Sequence, residues 1–258
     1  MTRSRTLPLL TATLIALLAA PHAGARTFAQ IKASGVLRVA TPGDLPPFTM
    51  HEAGRFRGYE PELLEAVAAG LGVRVEFRMA PASDLIKLLQ DDQVDVAIGG
   101  LGITSTRENK VDFTVPTACA GVSVVSFDPK LQKHTDLVGK TIGVPSGSIM
   151  HSYVQKLPFE KKVNIYPSTG DVIYAVISKA VDATFAYTVM APAAKRMFPK
   201  ATFSFGPELW SVPLGMMVRE DNTSTRAALN TGITRYLQTN SYAFLTAKHF
   251  SKDVRCKS

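Results

Sequence analysis

A chain of 258 residues with a formal net charge of +8 is long enough for one large domain or for two lobes, each with its own core. Its 29 Lys and Arg are spread along the sequence without a block of like charge, which argues against nucleic-acid binding and leaves a mildly basic surface suited to anionic solutes. The two cysteines and five scattered histidines offer no zinc spacing, so no metal and no cofactor are expected.

In chain order, residues 1–25 carry Arg3 and Arg5, an apolar run over 9–20, and the small-residue end Ala23-Gly24-Ala25. That pattern is a secretory leader cut after Ala25, which implies a periplasmic or secreted protein. The apolar run is shorter than the roughly 20 residues a membrane span needs, and no later stretch is long and apolar enough. No Cys follows it to carry a lipid, and no Arg-Arg pair precedes it, so the Sec route is expected. In an oxidising compartment Cys119 and Cys256 can pair, but their separation in sequence leaves the pairing open.

Beyond the leader, strand and helix signals alternate, the mark of an α/β protein with largely parallel sheets. A strand over 36–40 ends in the turn cluster Thr41-Pro42-Gly43-Asp44, and a polar hairpin tip follows at 52–55. A helix over 61–71 tolerates Pro61 in its first turn and closes on Gly70 and Gly72. Next come a strand over 73–78, a helix capped by Ser83 and running to Gln90, and a buried strand over 94–99. A short helical turn over 104–109 and extended stretches over 111–113 and 122–127 complete this part.

The plan then restarts. Strands over 140–144, 163–166 and 183–187 alternate with helices over 149–157, 171–179 and 189–198. A late β-like segment over 214–218 precedes two helices over 224–238 and 241–249. Two successive α/β units with a late return strand imply two lobes joined by two crossing segments. Ligands of open α/β sheets sit beyond the carboxyl ends of the strands. The loops over 41–48, 99–107, 145–148 and 187–188 are therefore the candidate site.

Two of these loops suit an anion. The run Gly99-Gly100-Leu101-Gly102 ends a buried strand and lets a ligand approach backbone N–H groups. Arg107 follows with a planar fork that matches a carboxylate, and Thr104 adds a hydroxyl. On spacing alone, Arg107 can equally be a surface residue paired with Glu108 or Asp112. The turn Pro145-Ser146-Gly147-Ser148 leads into a helix, where Ser148 can touch a ligand or simply cap the helix.

The run Ala33-Ser34-Gly35-Val36-Leu37-Arg38-Val39-Ala40 resembles the opening of solute-binding proteins of the polar-amino-acid ABC transporter type, bacterial extracellular solute-binding protein family 3. Ile103-Thr104-Ser105-Thr106-Arg107 followed by Val111-Asp112-Phe113 is the most specific part, similar to the family's I-T-x-x-R…V-D-F signature. The resemblance implies a two-lobed periplasmic-binding-protein-like fold (type II), with the ligand cleft between the lobes. It implies lobe one over 26–120 and 214–258, lobe two over 121–213, and crossing segments near 119–121 and 212–215.

It further implies that Arg107, with backbone near Gly100 and Gly102 and the hydroxyl of Thr104, holds a ligand carboxylate from lobe one. Ser148 would hold the same group from lobe two, while Asp44, Leu45 and Phe48 line the lobe-one wall. The implied partners are a small-molecule carboxylate and an ABC permease in the membrane, with the chain acting as a monomer and not as an enzyme. Tyr187 stands where many members have an Asp for the ligand's α-ammonium, and Gly99 and Gly102 replace small hydroxyl residues. A carboxylate lacking the amine, or an amine neutralised by Asp44 or Glu60, both remain open.

Residues 39–44 also resemble cyclohexadienyl dehydratases, enzymes of the same fold that need a general acid in the cleft. Where that group has an acidic residue after the Gly-Ser/Thr turn, this chain has Ile149 and Met150. A ligand-sensing partner of a membrane receptor is a third reading with the same binding chemistry.

Overall fold

The computed structural model describes residues 24–256, so the leader expected over 1–25 lies almost wholly outside the described residues. The chain opens with α1 (Phe28–Ser34), capped by Thr27, whose hydroxyl accepts the Gln30 N–H while the Gln30 side chain accepts the Thr27 N–H. Then come β1 (Val36–Thr41), a small hairpin sheet of β2 (Asp44–Leu45), β3 (Thr49–Glu52) and β4 (Arg55–Arg57), and α2 (Tyr59–Leu71). β5 (Arg74–Met79), α3 (Leu85–Gln90), β6 (Val96–Ala97), α4 (Ser105–Glu108) and β7 (Val111–Phe113) follow.

β8 (Ala118–Ser126) leads into the other half. There lie β9 (Thr141–Pro145), α5 (Ile149–Gln155), β10 (Lys162–Tyr166), α6 (Thr169–Ile177), β11 (Ala183–Tyr187), α7 (Ala191–Met197) and β12 (Ser204–Phe205). The return runs through β13 (Trp210–Leu214) to β14 (Met217–Arg219), then α8 (Thr223–Leu237) and α9 (Asn240–Phe250).

Each lobe is built on one sheet. Lobe one carries a five-stranded sheet in the order β5-β1-β6-β14-β7, and lobe two a six-stranded sheet containing β10-β9-β11-β8-β12, with β13 also paired to β8. The expectation of largely parallel sheets needs correction. β1 is parallel to β5 and β6, and β9 to β10 and β11, but β14, β8, β12 and β13 all join antiparallel. The physical reason is the crossing itself: strands that carry the chain out of one lobe and back into it run opposite to the βαβ strands.

β8 and β13 pair antiparallel from Ala118↔Leu214 to Val122↔Trp210 and form the double crossing. The segment over 214–218 is accordingly two strands, because the chain leaves one sheet at Leu214 and enters the other at Met217. Between them Gly215 packs against Ile103 and Phe113, with no room for a larger residue unless they yield. The cap expected at Ser83 is also displaced. Residues 81–84 form a turn closed by the Asp84 N–H on the Pro81 carbonyl, and Asp84 occupies the cap position.

The crossing is anchored from lobe one. The buried phenols of Tyr59 and Tyr242 both donate to the Thr117 carbonyl, at 2.6 and 2.7 Å. Cys119 and Cys256 form a disulfide, and the Cys119 N–H donates to the Val254 carbonyl, so the C-terminal tail is stitched to the start of β8. Among the described residues no helix is long and apolar enough to cross a membrane.

Candidate functional site

A cavity of about 400 Å³ opens between the two sheets, walled by loops of both lobes. Lobe one contributes Pro42, Asp44 and Leu45 after β1, residues 79–82 after β5, and Gly99, Gly100, Leu101 and Arg107 after β6. Lobe two contributes Pro145, Ser146, Ser148 and Ile149 after β9, Pro167–Thr169 after β10, and Phe185–Tyr187 with Met190 at the end of β11. All lie at carboxyl ends of strands, where helix-bound backbone leaves space and unpaired polar groups.

Arg107 spans the cleft. Its Nη1 donates to the Gly102 carbonyl and its Nη2 to the Gly147 carbonyl on the other lobe, each at 2.9 Å. Burial lowers its pKa, opposed in part by Tyr187, and no carboxylate lies within ion-pair range of it among the described residues. A guanidinium has five N–H donors, so the remaining ones are available to an anion. The alternative that spacing allowed, a surface Arg107 paired with Glu108 or Asp112, is not formed: neither carboxylate pairs with it, and Asp112 binds Arg226 at 2.8 Å instead.

Two further side chains cross the cleft. The Asp44 carboxylate, on β2, accepts the Thr169 N–H of α6 at 2.7 Å and also the Gly170 N–H. Burial nevertheless raises its pKa, since desolvation outweighs those hydrogen bonds. The Tyr187 hydroxyl, on β11, donates to the Gly100 carbonyl at 2.8 Å, and burial pushes that phenol well above its ordinary pKa.

Beneath the cavity floor sits Glu60. It is 1% exposed and accepts the N–H groups of Gly100, at 2.9 Å, and Gly99. Burial raises its carboxyl to about 7. The N–H groups that the Gly99-Gly100 turn was expected to offer a ligand are thus turned down onto Glu60. The turn itself needs glycine: Gly100 has φ +60, and a Cβ there would meet Leu45 at 2.6 Å.

Asp44, Leu45, Gly100, Arg107, Ser148 and Tyr187 come together on the cavity wall, whereas Phe48, Gly102 and Thr104 are not among its lining residues. Phe48 is 1% exposed and packs against the rings of Tyr59, Tyr187 and Phe250. Gly102 offers its carbonyl to Arg107, and Thr104 caps α4 through its backbone, accepting the Arg107 and Glu108 N–H groups. The Ser148 hydroxyl caps α5, accepting the His151 N–H and donating to the Pro145 carbonyl. Its single proton is therefore already engaged.

Sequence reasoning missed the walls over 79–82 and 167–169. Both follow parallel strands and precede helices, so the same carboxyl-end rule could have found them.

The sequence model of the bacterial extracellular solute-binding proteins, family 3, matches residues 37–252. The chain belongs to that family. A probable amino-acid-binding protein, YxeM, of Bacillus subtilis (strain 168) is 25% identical over 85% of this chain and 85% of its own length. An arginine-binding periplasmic protein of Mannheimia haemolytica is 32% identical over 54% of this chain and 58% of its own length. Among solved structures, an ancestral arginine-binding protein bound to arginine superposes with a TM-score of 0.80 at 30% identity, covering 84% of this chain and 98% of that one. The two-lobed α/β fold is therefore that of the family. The enzymatic branch is represented too: a cyclohexadienyl dehydratase of Pseudomonas aeruginosa is 24% identical over 66% of each chain.

Proposed function

We propose that this family member is the extracytoplasmic receptor of an ABC importer, taking an amino acid or related small carboxylate between its lobes and closing on it. The observation that carries the reading is Arg107, a cation that reaches from one lobe to the other with only carbonyl partners. A carboxylate placed on its remaining donors would be held by a charge-assisted pair. Asp44, Leu45, Gly100, Ser148 and Tyr187 shape the cavity around that anchor, while Phe48, Gly102 and Thr104 hold the anchor's surroundings from behind.

The moving bodies are residues 26–120 with 214–258 and residues 121–213, hinged on β8 and β13. A ligand that touches both stabilises the closed state through its differential contacts, and a membrane permease reads the closed face. Residues 1–25 act as the export leader, and the exported chain works as a monomer.

The dehydratase reading needs an acid aimed at the reacting carbon. Asp44 is the one carboxylate among the described lining residues, and it is engaged by the first N–H groups of α6. That favours binding without turnover.

Calorimetry tests the reading. Arg107→Ala should weaken carboxylate binding about tenfold or more, the loss expected for a charged hydrogen-bonding partner. Unchanged affinity would sink the Arg107 assignment, and turnover of prephenate would replace the receptor by an enzyme.

A further inference from the structure

The cavity holds one formal charge of each sign. Arg107 is its cation and Asp44 its carboxylate, and the other described lining residues are uncharged. Asp44 accepts the N–H groups of Thr169 and Gly170, but those bonds leave its charge in place. No cation lies within ion-pair range of it among the described residues. A carboxylate has about four lone-pair sites, so it can take a further donor. Burial disfavours the charge and raises its pKa, a cost that a cation set beside it would reverse.

The two charges meet lobe two at neighbouring points. Arg107 reaches the Gly147 carbonyl after β9, and Asp44 reaches the Thr169 N–H after β10. These strands run parallel, with Pro145 paired to Tyr166 at their ends. Paired strands lie roughly 4.8 Å apart, so an anion and a cation borne on one carbon can meet both side chains. The hydroxyl-bearing lining residues gather at the same loops: Ser146 and Ser148 flank Gly147, while Ser168 and Thr169 open α6. The Tyr187 hydroxyl adds no charge, because burial keeps it protonated and its proton lies on the Gly100 carbonyl. The rest of the wall is apolar, with Leu45, Met79, Ile149, Phe185 and Met190 as its larger side chains.

We propose that Asp44 is the seat of the ligand's α-ammonium, and that the cleft selects an α-amino acid whose uncharged side chain lies against Phe185 and Met190. The proposal rests on the Arg107 reading above for the carboxylate end, and adds the ammonium seat and the charge of the side chain. Charge balance carries the second part. With the carboxylate on Arg107 and the ammonium on Asp44, a charged side chain enters the cavity without an opposite partner, which is costly.

Calorimetry on residues 26–258 tests it, with L-leucine, L-methionine, 4-methylpentanoate, L-leucinamide, L-arginine and L-glutamate as probes. 4-Methylpentanoate is leucine without its ammonium and should bind at least about tenfold more weakly than L-leucine, the loss expected for a charged hydrogen bond. L-arginine and L-glutamate should bind at least about tenfold more weakly than the better of L-leucine and L-methionine. Asp44→Asn, close in shape, should shrink the ratio of L-leucine to 4-methylpentanoate affinity to about threefold or less. The wild-type ratio judges the ammonium seat by itself should that variant not fold. Equal binding of L-leucine and 4-methylpentanoate would overturn the proposal, as would an undiminished ratio in folded Asp44→Asn. Tightest binding of L-arginine or L-glutamate, or no binding of any of these amino acids, would overturn it as well. Equal binding of L-leucinamide and L-leucine would instead strike the Arg107 anchor, an outcome that the 4-methylpentanoate comparison does not share.

Discussion

Closure brings Gly147 on lobe two against the backbone of lobe one, and adding one carbon there should hold the lobes apart. A Cβ on Gly147 would sit 2.8 Å from both the Cα and the N of Ser83, and 3.1 Å from the Ala82 carbonyl carbon. These are backbone atoms that no rotamer change can move aside. Relief requires the lobes to part at this point, which also stretches the 2.9 Å bond from Arg107 to the Gly147 carbonyl.

Overpacking of this kind costs about 1–3 kcal/mol, or roughly five- to 150-fold in the closed-to-open ratio. Gly147 also has φ +72, and a side chain there is strained by about 1 kcal/mol in the open and closed states alike, so that part cancels from binding. Gly139 supplies the control, with φ +71 and nothing within 4 Å of a Cβ. By calorimetry with the best-bound carboxylate ligand, Gly147→Ala should lose about tenfold or more in affinity, while Gly139→Ala should lose stability but not affinity. Equal affinities for Gly147→Ala and wild type would refute the cross-cleft contact as part of closure.

Two further outcomes concern stability. The Glu60 carboxyl is raised from 4.5 in the open chain to about 7 in the fold, so the native state holds its proton over a range where the unfolded state releases it. The resulting stabilisation is complete below about pH 4.5 and is lost as pH rises through 7, a swing of about 3 kcal/mol. Thermal melts from pH 4.5 to 8 should show Glu60→Gln flattening this component, and an unchanged slope would remove Glu60 as its source. Reduction of Cys119–Cys256, which closes a loop of sequence separation 137, should cost about 3–5 kcal/mol. Denaturant melts with and without reductant measure it, and coincident curves would show that the C-terminal tail is held by packing alone.

Much of the architecture was legible because βαβ units announce themselves by alternating apolar runs and glycine-closed helices. β1, β5, β11, α2 and α9 fall within two residues of their expected ends. What escaped was set by partners distant in sequence. Phe48 reads as a cleft residue, but its ring packs on Phe250, and no local pattern brings those two together.

The Gly99-Gly100 turn reads as an anion cradle, yet Glu60, some 40 positions away, takes its N–H groups. Asp44 looks free in sequence and is engaged at the first turn of α6. By contrast, α1 was missed although its signal was present, since Thr27 and Gln30 form the reciprocal cap that marks a helix start.

The most direct test is a crystal structure of residues 26–258 with the best-bound carboxylate ligand. The expected density places a carboxylate on the Arg107 guanidinium, between the loops of Gly102 and Gly147. An acid bound elsewhere, or one whose carboxylate points away from Arg107, would contradict the receptor mechanism at its anchor.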